Sequence, residues 1–295
     1  MADTARVNEL GQPIGDALPG WTPPPIPPHT PMVGRLSSLT PLTPADAPGL
    51  WEAFGLDAEG RNWTYLSHGP YERYDDFARW VSEAGASVDP QFYSVRVPGA
   101  RVQSAGVQSA AVPGIEVPGT EVRALSTSSA PSAPSASSAP SASSASSASS
   151  ASLSVPSGSA SYLRIAPSMG TIEVGHIHFS PLLQHTPAAT EAMFLMMSRV
   201  FELGYRRYEW KCDALNAPSR RAAQRLGFSF EGVFRQAVVV KGRNRDTAWY
   251  ACIDREWPAL REAYERWLDP ANFDEQGRQR VSLSSLTAPI LVARG

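Results

Sequence analysis

From Thr171 to Leu203 the chain reads as a strand, a tight uncharged turn and a long helix, and this order constrains the fold more than any other stretch. Thr171-Ile-Glu-Val-Gly-His-Ile-His-Phe-Ser180 has strand character. The turn Pro181-Leu-Leu-Gln-His-Thr-Pro-Ala-Ala-Thr190 carries no acid. Pro187 suits a first helical position, where its missing N–H has no partner to lose, and Thr186 is then the N-cap. The next amides, those of Ala188, Ala189 and Thr190, point outward at the positive end of the helix dipole. Two readings follow from the turn: an ordinary capped helix, or a cradle for a phosphate-bearing ligand. Beyond it, Met193, Met196, Met197, Val200 and Phe201 fall at i, i+3, i+4, i+7 and i+8, a stripe that reads as core, and Gly204 is the expected C′ residue.

At 295 residues the chain has room for one or two domains, but a low-complexity tract leaves one globular domain of roughly 200 residues. A formal charge of −2 and a pI near 6.2 argue against a nucleic-acid binder. Cys212 and Cys252 lie in strand-like runs and read as small buried residues of a reduced compartment; no zinc-type spacing exists, so no metal is expected. The N-terminal residues lack the apolar run of a secretory signal, and no apolar run reaches the roughly 20 residues that span a bilayer. The expectation is a cytoplasmic protein, monomeric or homodimeric, with no membrane or nucleic-acid partner.

Taken in order, residues 1–31 form a Pro-rich arm ending in Trp21-Thr-Pro-Pro-Pro-Ile-Pro-Pro28, extended in character. Such an arm either docks on a proline-reading module or packs along its own domain, with Trp21 as anchor. Met32 to Leu42 reads as one strand. A short helix carrying Leu50, Trp51 and Phe54 follows the cap at Thr43, and a second spans Tyr71 to Ala84. Gln91 to Val97 is a strand. Residues 98–159 are a Ser/Ala/Pro-rich insertion, with too little apolar surface to offset an ordering cost of roughly 1–2 kcal/mol per residue, and are expected to be disordered. After the central helix, Tyr208 to Cys212 is a strand, Asn216-Ala-Pro-Ser219 caps a helix that Gly227 ends, and Phe228–Phe234 and Gln236–Lys241 are strands. Gly242 to Arg245 is the expected turn, Thr247 to Ile253 the returning strand, and Glu256 to Leu268 a closing helix. The domain is thus expected over 32–97 and 160–269, with a tail at 270–295.

This order of elements, together with Asn216-Ala-Pro-Ser-Arg-Arg-Ala-Ala-Gln-Arg-Leu-Gly-Phe228, resembles the GNAT superfamily of acyl-CoA-dependent N-acetyltransferases, and most of all the branch that acetylates ribosomal-protein N-termini (RimJ/RimL-like). The resemblance covers about residues 32–96 and 160–257. It implies an α+β (mixed α/β) GNAT-like fold, a central mixed and mostly antiparallel twisted sheet of about six or seven strands flanked by helices. It also implies direct transfer of an acetyl group from acetyl-CoA to a primary amine of a small molecule or of a peptide or protein N-terminus. The family's pyrophosphate loop, Gln/Arg-x-x-Gly-x-Gly/Ala, aligns with Gln184, His185, Thr186, Pro187, Ala188 and Ala189, so a proline replaces the first glycine. The rival reading, an acyl-CoA-binding module without catalysis and with a protein-interaction role, draws on this proline and on Ala223, which stands where many relatives carry a tyrosine.

The resemblance further implies that the backbone of Phe179, Ser180, Pro181 and Leu182 contacts the pantetheine arm, and that Gln184, His185, Thr186, Ala188, Ala189 and Thr190 surround the diphosphate. Asn216 would steady the arm. Ser219 is the implied donor to the leaving thiol, whose free pKa near 8.5 makes an acid only modestly useful. The amine demands more. A lysine of pKa about 10.4 costs roughly 4.6 kcal/mol to deprotonate at pH 7, an α-amine near 7.8 only about 1.1. Glu173 is the implied base, and His178 the second candidate. Strand alternation places His176 and His178 on the face opposite Glu173. Lys241, Arg243 and Arg245 crowd the last hairpin, either as a solvated turn or as a basic rim that steers an acidic substrate or the 3′-phosphate of CoA.

Overall fold

A parallel strand pair lies inside an otherwise antiparallel sheet, and that pair opens part-way along its length. In the computed structural model, which describes residues 6–98 and 154–295, the sheet strands are β1 (Met32–Val33), β2 (Ser38–Pro41), β3 (Gln91–Pro98), β4 (Ser154–Ala166), β5 (Thr171–Phe179), β6 (Arg207–Asp213), β7 (Ser229–Val240) and β8 (Arg243–Ile253). They lie in the order β1-β2-β3-β4-β5-β6-β8-β7, eight strands where about six or seven are expected. Among the described strands only β5 and β6 run parallel, paired from Thr171↔Arg207 to Val174↔Trp210. Both continue beyond that point without partnering each other, so the sheet opens between them toward the turn that follows β5.

The helices are α1 (Ala47–Gly55), α2 (Tyr74–Ala86), α3 (Pro187–Glu202), α4 (Ala217–Arg225), α5 (Trp257–Leu268) and α6 (Leu283–Thr287). On one side of the sheet the main core joins Ile172, Val174 and Tyr208 to Met196 and Val200 of α3 and Leu260 of α5. On the other, a smaller core gathers Phe54, Trp63, Phe77, Val81 and Phe92 under α1 and α2. Met193, Met196, Met197 and Val200 are buried, as their spacing requires, and Gly204 and Gly227 end α3 and α4 at φ of 94° and 93°. A side chain at Gly227 would collide with Leu260, which joins α4 tightly to α5.

Three elements differ from the sequence reading. Met32 to Leu42 is two strands, because the buried carboxylate of Glu191 on α3 accepts from the amides of Arg35, Leu36 and Ser37 at 3.0, 2.7 and 2.7 Å and holds them in a turn. The strands expected at Phe228–Phe234 and Gln236–Lys241 are one strand, β7, with a bulge between Phe234 and Val238 and Gln236 at φ 49°. The last hairpin turns at Lys241-Gly242, at φ 50° and 72°, so Arg243 and Arg245 belong to β8 and not to the turn.

The Pro-rich arm lies along its own domain. Its backbone carbonyls have no partner within an extended proline run and accept from side chains of the sheet and α3: Pro27 from Gln91 at 3.1 Å, Thr30 and Pro31 from Arg199 at 2.7 Å each, Pro25 from Tyr205 at 3.1 Å. Trp21 sits 5.9 Å from the Arg206 guanidinium. Most of the Ser/Ala/Pro-rich stretch, 99–153, lies outside the described residues. Its two flanks meet, with Pro98 paired to Ser154, so β4 begins inside the stretch that composition assigns to the insertion. The tail, too, is drawn in: Leu283 of α6 is fully buried in the main core.

Candidate active site

The opening between β5 and β6 is bounded by three local structures that the sequence builds one at a time. At its base, Thr186 caps α3, its Oγ1 accepting from the Ala189 amide at 3.2 Å, with Pro187 at the first helical position. Of the three amides at 188–190, Ala189 is therefore engaged, and Thr190 stands where a helix amide reaches back to the cap carbonyl. The Ala188 amide has no acceptor among the described hydrogen bonds. No acid lies in the first turn, and the nearest, Glu191, is bound to residues 35–37. His185 takes up the left-handed conformation at φ 60°, which folds the loop back on itself. The positive helix end is thus left to an anion.

Gln184 ties this loop to two neighbours: its Nε2 donates to the Phe179 carbonyl at 2.7 Å and to Asn62 Oδ1 at 3.0 Å. The Phe179 carbonyl thus accepts one hydrogen bond and keeps a second lone pair. Ser180 donates its amide to Ser157 at 3.0 Å, while its hydroxyl is buried with no partner. Leu182 is half-buried beside them. On the opposite wall, Asn216 caps α4 by accepting from the Ser219 amide at 3.1 Å, which leaves the Asn216 carboxamide nitrogen for another acceptor. Ser219 Oγ accepts from the Trp210 indole at 3.0 Å and keeps its own proton to donate. The orphaned Ser180 hydroxyl, the acid-free helix end with its open Ala188 amide and the two free donors of α4 suit a long, anionic, amide-bearing cofactor such as acetyl-CoA.

Facing the α1–α2 side, Glu173 is 3% exposed. Its Oε2 receives Arg164 Nη1 at 2.5 Å and Lys211 Nζ at 2.8 Å; Lys211 also holds Glu209 at 2.8 Å and lies 3.7 Å over the Trp249 ring. Among the described hydrogen bonds Glu173 Oε1 has no donor, and Gly175 leaves room beside it, its missing Cβ falling 3.7 Å away. The two histidines are not on the opposite face. His176 sits at φ 48° and the β4–β5 register shifts between Ser159 and Ser161, so a bulge reverses the alternation. Ile177 then packs on the main core, while His178 stacks 3.7 Å from Phe54 and meets Trp63 edge-on at 4.2 Å. Glu173, His176 and His178 share one face.

That face carries an aromatic and imidazole cluster which no spacing in the sequence announces. His68 stacks 4.3 Å from Trp80, and His176 lies 5.0 Å from Phe92 and bonds Ser161 Oγ through Nδ1 at 2.8 Å. Burial pushes the His178 ring down to about 3, with His68 adding to it. Burial likewise takes His176 to about 4, assisted by Arg164 and Arg245, and His68 to about 4, assisted by His176 and Lys241. All three are neutral imidazoles at pH 7, and both ring nitrogens of His178 lack a partner. Two contacts close the segment between α1 and α2 over this face: Tyr65 donates to the Leu215 carbonyl at 3.3 Å, and Lys241 Nζ to the Trp63 carbonyl at 2.8 Å. Nothing in the spacing of Asn62, Trp63, Tyr65 and His68 marks them, and the hydrogen bonds that draw the first three to the site link them to Gln184, Leu215 and Lys241, more than a hundred residues away.

Cys212 and Cys252 are buried and unpaired, and burial pushes both thiols up, so neither is placed to act as a nucleophile. Among the described residues no group of acids, histidines or cysteines is arranged to hold a metal ion, and no helix is long and apolar enough to cross a membrane.

The acetyltransferase (GNAT) domain family matches residues 145–229, a span that includes β4 and reaches the start of β7. A GCN5-related N-acetyltransferase from Brucella melitensis is 37% identical, its structure covering 92% of this chain and 100% of its own with a TM-score of 0.71. A probable acetyltransferase of the GNAT family from Chromobacterium violaceum is 34% identical over 84% of this chain and 98% of its own, with a TM-score of 0.59. The chain belongs to the GCN5-related N-acetyltransferase family, whose members use acetyl-CoA. The microcin C7 self-immunity acetyltransferase MccE, solved with acetyl-CoA and AMP, shares the fold at 13% identity and a TM-score of 0.52, over 77% of this chain and 98% of its own. No curated protein matches the chain.

Proposed function

We propose that this protein transfers the acetyl group of acetyl-CoA directly to a primary amine, of a small molecule or of a peptide N-terminus, in the manner of the RimJ/RimL-like branch. The observation that carries the reading is the parting of β5 and β6 after Val174 and Trp210, with an acid-free helix end on one wall and a free hydroxyl donor on the other. Acetyl-CoA, when bound, supplies an activated thioester carbonyl. The Ala188 amide and the α3 dipole hold its diphosphate, assisted by the loop of Gln184, His185, Thr186, Ala189 and Thr190. The strand end at Phe179, Ser180 and Leu182 and the Asn216 carboxamide align its arm.

Glu173 accepts the amine proton through Oε1, while Arg164 and Lys211 fix the carboxylate by Oε2. Ser219 donates to the sulfur as the carbon–sulfur bond breaks, its orientation set by Trp210. His178 forms a neutral wall of the acceptor site. The amine must be uncharged when it attacks, since the aromatic and imidazole surroundings solvate an ammonium poorly, and Glu173 takes the proton that an arriving ammonium carries; an α-amine meets this condition at a cost of about 1 kcal/mol at pH 7. Two inert thiols agree with transfer that uses no covalent enzyme intermediate, and their lack of pairing agrees with a cytoplasmic setting. Residues 99–153 we read as a tolerated insertion of the one domain.

The rival reading, a CoA-binding module without turnover, rests on Ala223, which is fully buried and supplies no phenol donor. Thiol release from acetyl-CoA across a panel of amines, run beside calorimetry with CoA, decides between the two. Heat on CoA addition with thiol release is the expected result. Heat without release on amino acids, polyamines, aminoglycosides or peptides would replace the enzyme by the module.

A further inference from the structure

Among the described residues Arg245 is a cation without a partner at the acceptor mouth. β8 alternates without interruption, so Ala248, Tyr250 and Cys252 enter the main core while Arg245, Thr247 and Trp249 face the other side, with Lys211 and Glu173. Thr247 pairs with Asp213, the last residue of β6, so Arg245 projects just past the end of that strand, where the sheet has opened. Its charge is felt by His176 across the opening and by Cys212 beside it. Its Nε is buried with no acceptor, and among the described residues no carboxylate pairs with it. Leaving a buried charged donor unsatisfied is costly, and natural structures keep such groups for a ligand or a switch. Lys211 on this face is engaged by Glu173 and Glu209 and Lys241 by the Trp63 carbonyl, while Arg243, two residues before Arg245, lies exposed at the hairpin end.

We infer that Arg245 binds an anionic group of the acceptor and that the acceptor is a small aminocarboxylate, its amine turned to Glu173 and its carboxylate paired with the Arg245 guanidinium. This rests on the acetyl-transfer reading above. A part-buried guanidinium with no partner among the described residues matches one negative charge and offers the planar fork that a carboxylate takes in two hydrogen bonds; a phosphate dianion would call for more. Smallness follows from the closure of the face by the Tyr65–Leu215 and Lys241–Trp63 contacts, with His178 only 2% exposed behind them. A peptide chain would have to break both.

The test compares thiol release by the full chain from acetyl-CoA with amino acids, their methyl esters, the corresponding decarboxylated amines and short peptides. The wild type is expected to favour the free acids, with a kcat/KM ratio of acid to ester on the order of 10- to 100-fold, the range of a charge-assisted hydrogen-bonded pair. Arg245→Gln should bring that ratio close to one, and Arg245→Lys should keep part of it, since charge remains without the fork. Calorimetry with CoA and the thermal midpoint check that each variant is folded. A wild-type ratio near one with esters, amines or peptides acetylated equally well overturns the inference and leaves acetyl transfer standing. So does an Arg245→Gln loss that is the same for every amine, which would place the guanidinium on the thioester side. Thiol release from none of the amines removes the acetyl-transfer reading, and the inference with it.

Discussion

The two halves of the proposed site are made differently. The cofactor half consists of helix ends and a strand end: Thr186 and Asn216 each cap a helix three residues on, and the groups offered to a ligand are backbone amides and small donors. The acceptor half consists of large side chains from four distant segments, Trp63 and His68, Phe92, Glu173 to His178, and Lys241 to Arg245. On the proposed reading, a cofactor common to a whole family would be held by geometry that a short stretch of chain can encode. The acceptor would be met by chemistry that exists only after the chain has folded.

The largest effect belongs to the acceptor half. Glu173→Gln keeps the shape but removes the proton acceptor, and turnover should fall about 10²- to 10⁴-fold, the usual worth of a positioned base. The loss should shrink as pH rises, because more of the amine arrives uncharged. A pH–rate profile of unchanged shape would take the role of base from Glu173.

Acid stability separates the halves next. His68, His176 and His178 have folded-state values of about 4, 4 and 3, below the unfolded value of about 6.5. Between pH 6.5 and 4 the unfolded chain therefore holds more protons, and the unfolding free energy falls as pH falls. The stability from keeping these rings neutral is complete above pH 6.5. Each histidine adds a slope of at most about 1.4 kcal/mol per pH unit, so the three together give up to about 4. Urea midpoints at pH 7, 6 and 5 measure it, and His68→Gln should remove about a third of the slope. A flat profile would mean that the three rings are protonated in the fold, and the neutral acceptor wall would be lost.

What could be read in the sequence divides along the same line. The caps at Thr186 and Asn216, the stops at Gly204 and Gly227 and the Met stripe of α3 all depend on neighbours within a turn or two, and they stand as read. The misread elements depend on distant partners. Glu191 splits the first strand from across the core, 154 residues from Ser37. The bulge at His176 is invisible in a run that alternates well on paper, and it moves His178 to the other face. The turn expected at Gly242 to Arg245 lies earlier, because two residues with positive φ set it at Lys241-Gly242.

A third effect tests whether the insertion belongs to neither half. Pro98 and Ser154 are paired, so their ends are already within hairpin reach. Replacing residues 99–153 by a four-residue Gly/Ser turn shortens the loop nearly fourteenfold. At about 0.6 kcal/mol per halving, that should stabilise the domain by roughly 2 kcal/mol and leave CoA affinity as it was. A domain that unfolds on this change would show that residues 99–153 hold part of the core.

The smallest effect is the most discriminating for the cofactor half. Thr186→Ala removes the cap on the Ala189 amide, and the free protein should lose about 1 kcal/mol of stability. The freed amide then joins that of Ala188 at the helix end, where a diphosphate can accept from both. CoA should therefore bind the variant at least as well as the wild type, and the gap between their thermal midpoints should narrow as CoA is raised to saturation. A gap that stays constant with and without CoA would mean that the Ala189 amide lies outside the reach of the diphosphate. The loop would then hold its ligand by the Ala188 amide and the dipole alone, and the proline at position 187 would mark a real weakening of the family's phosphate cradle rather than a rigid version of it.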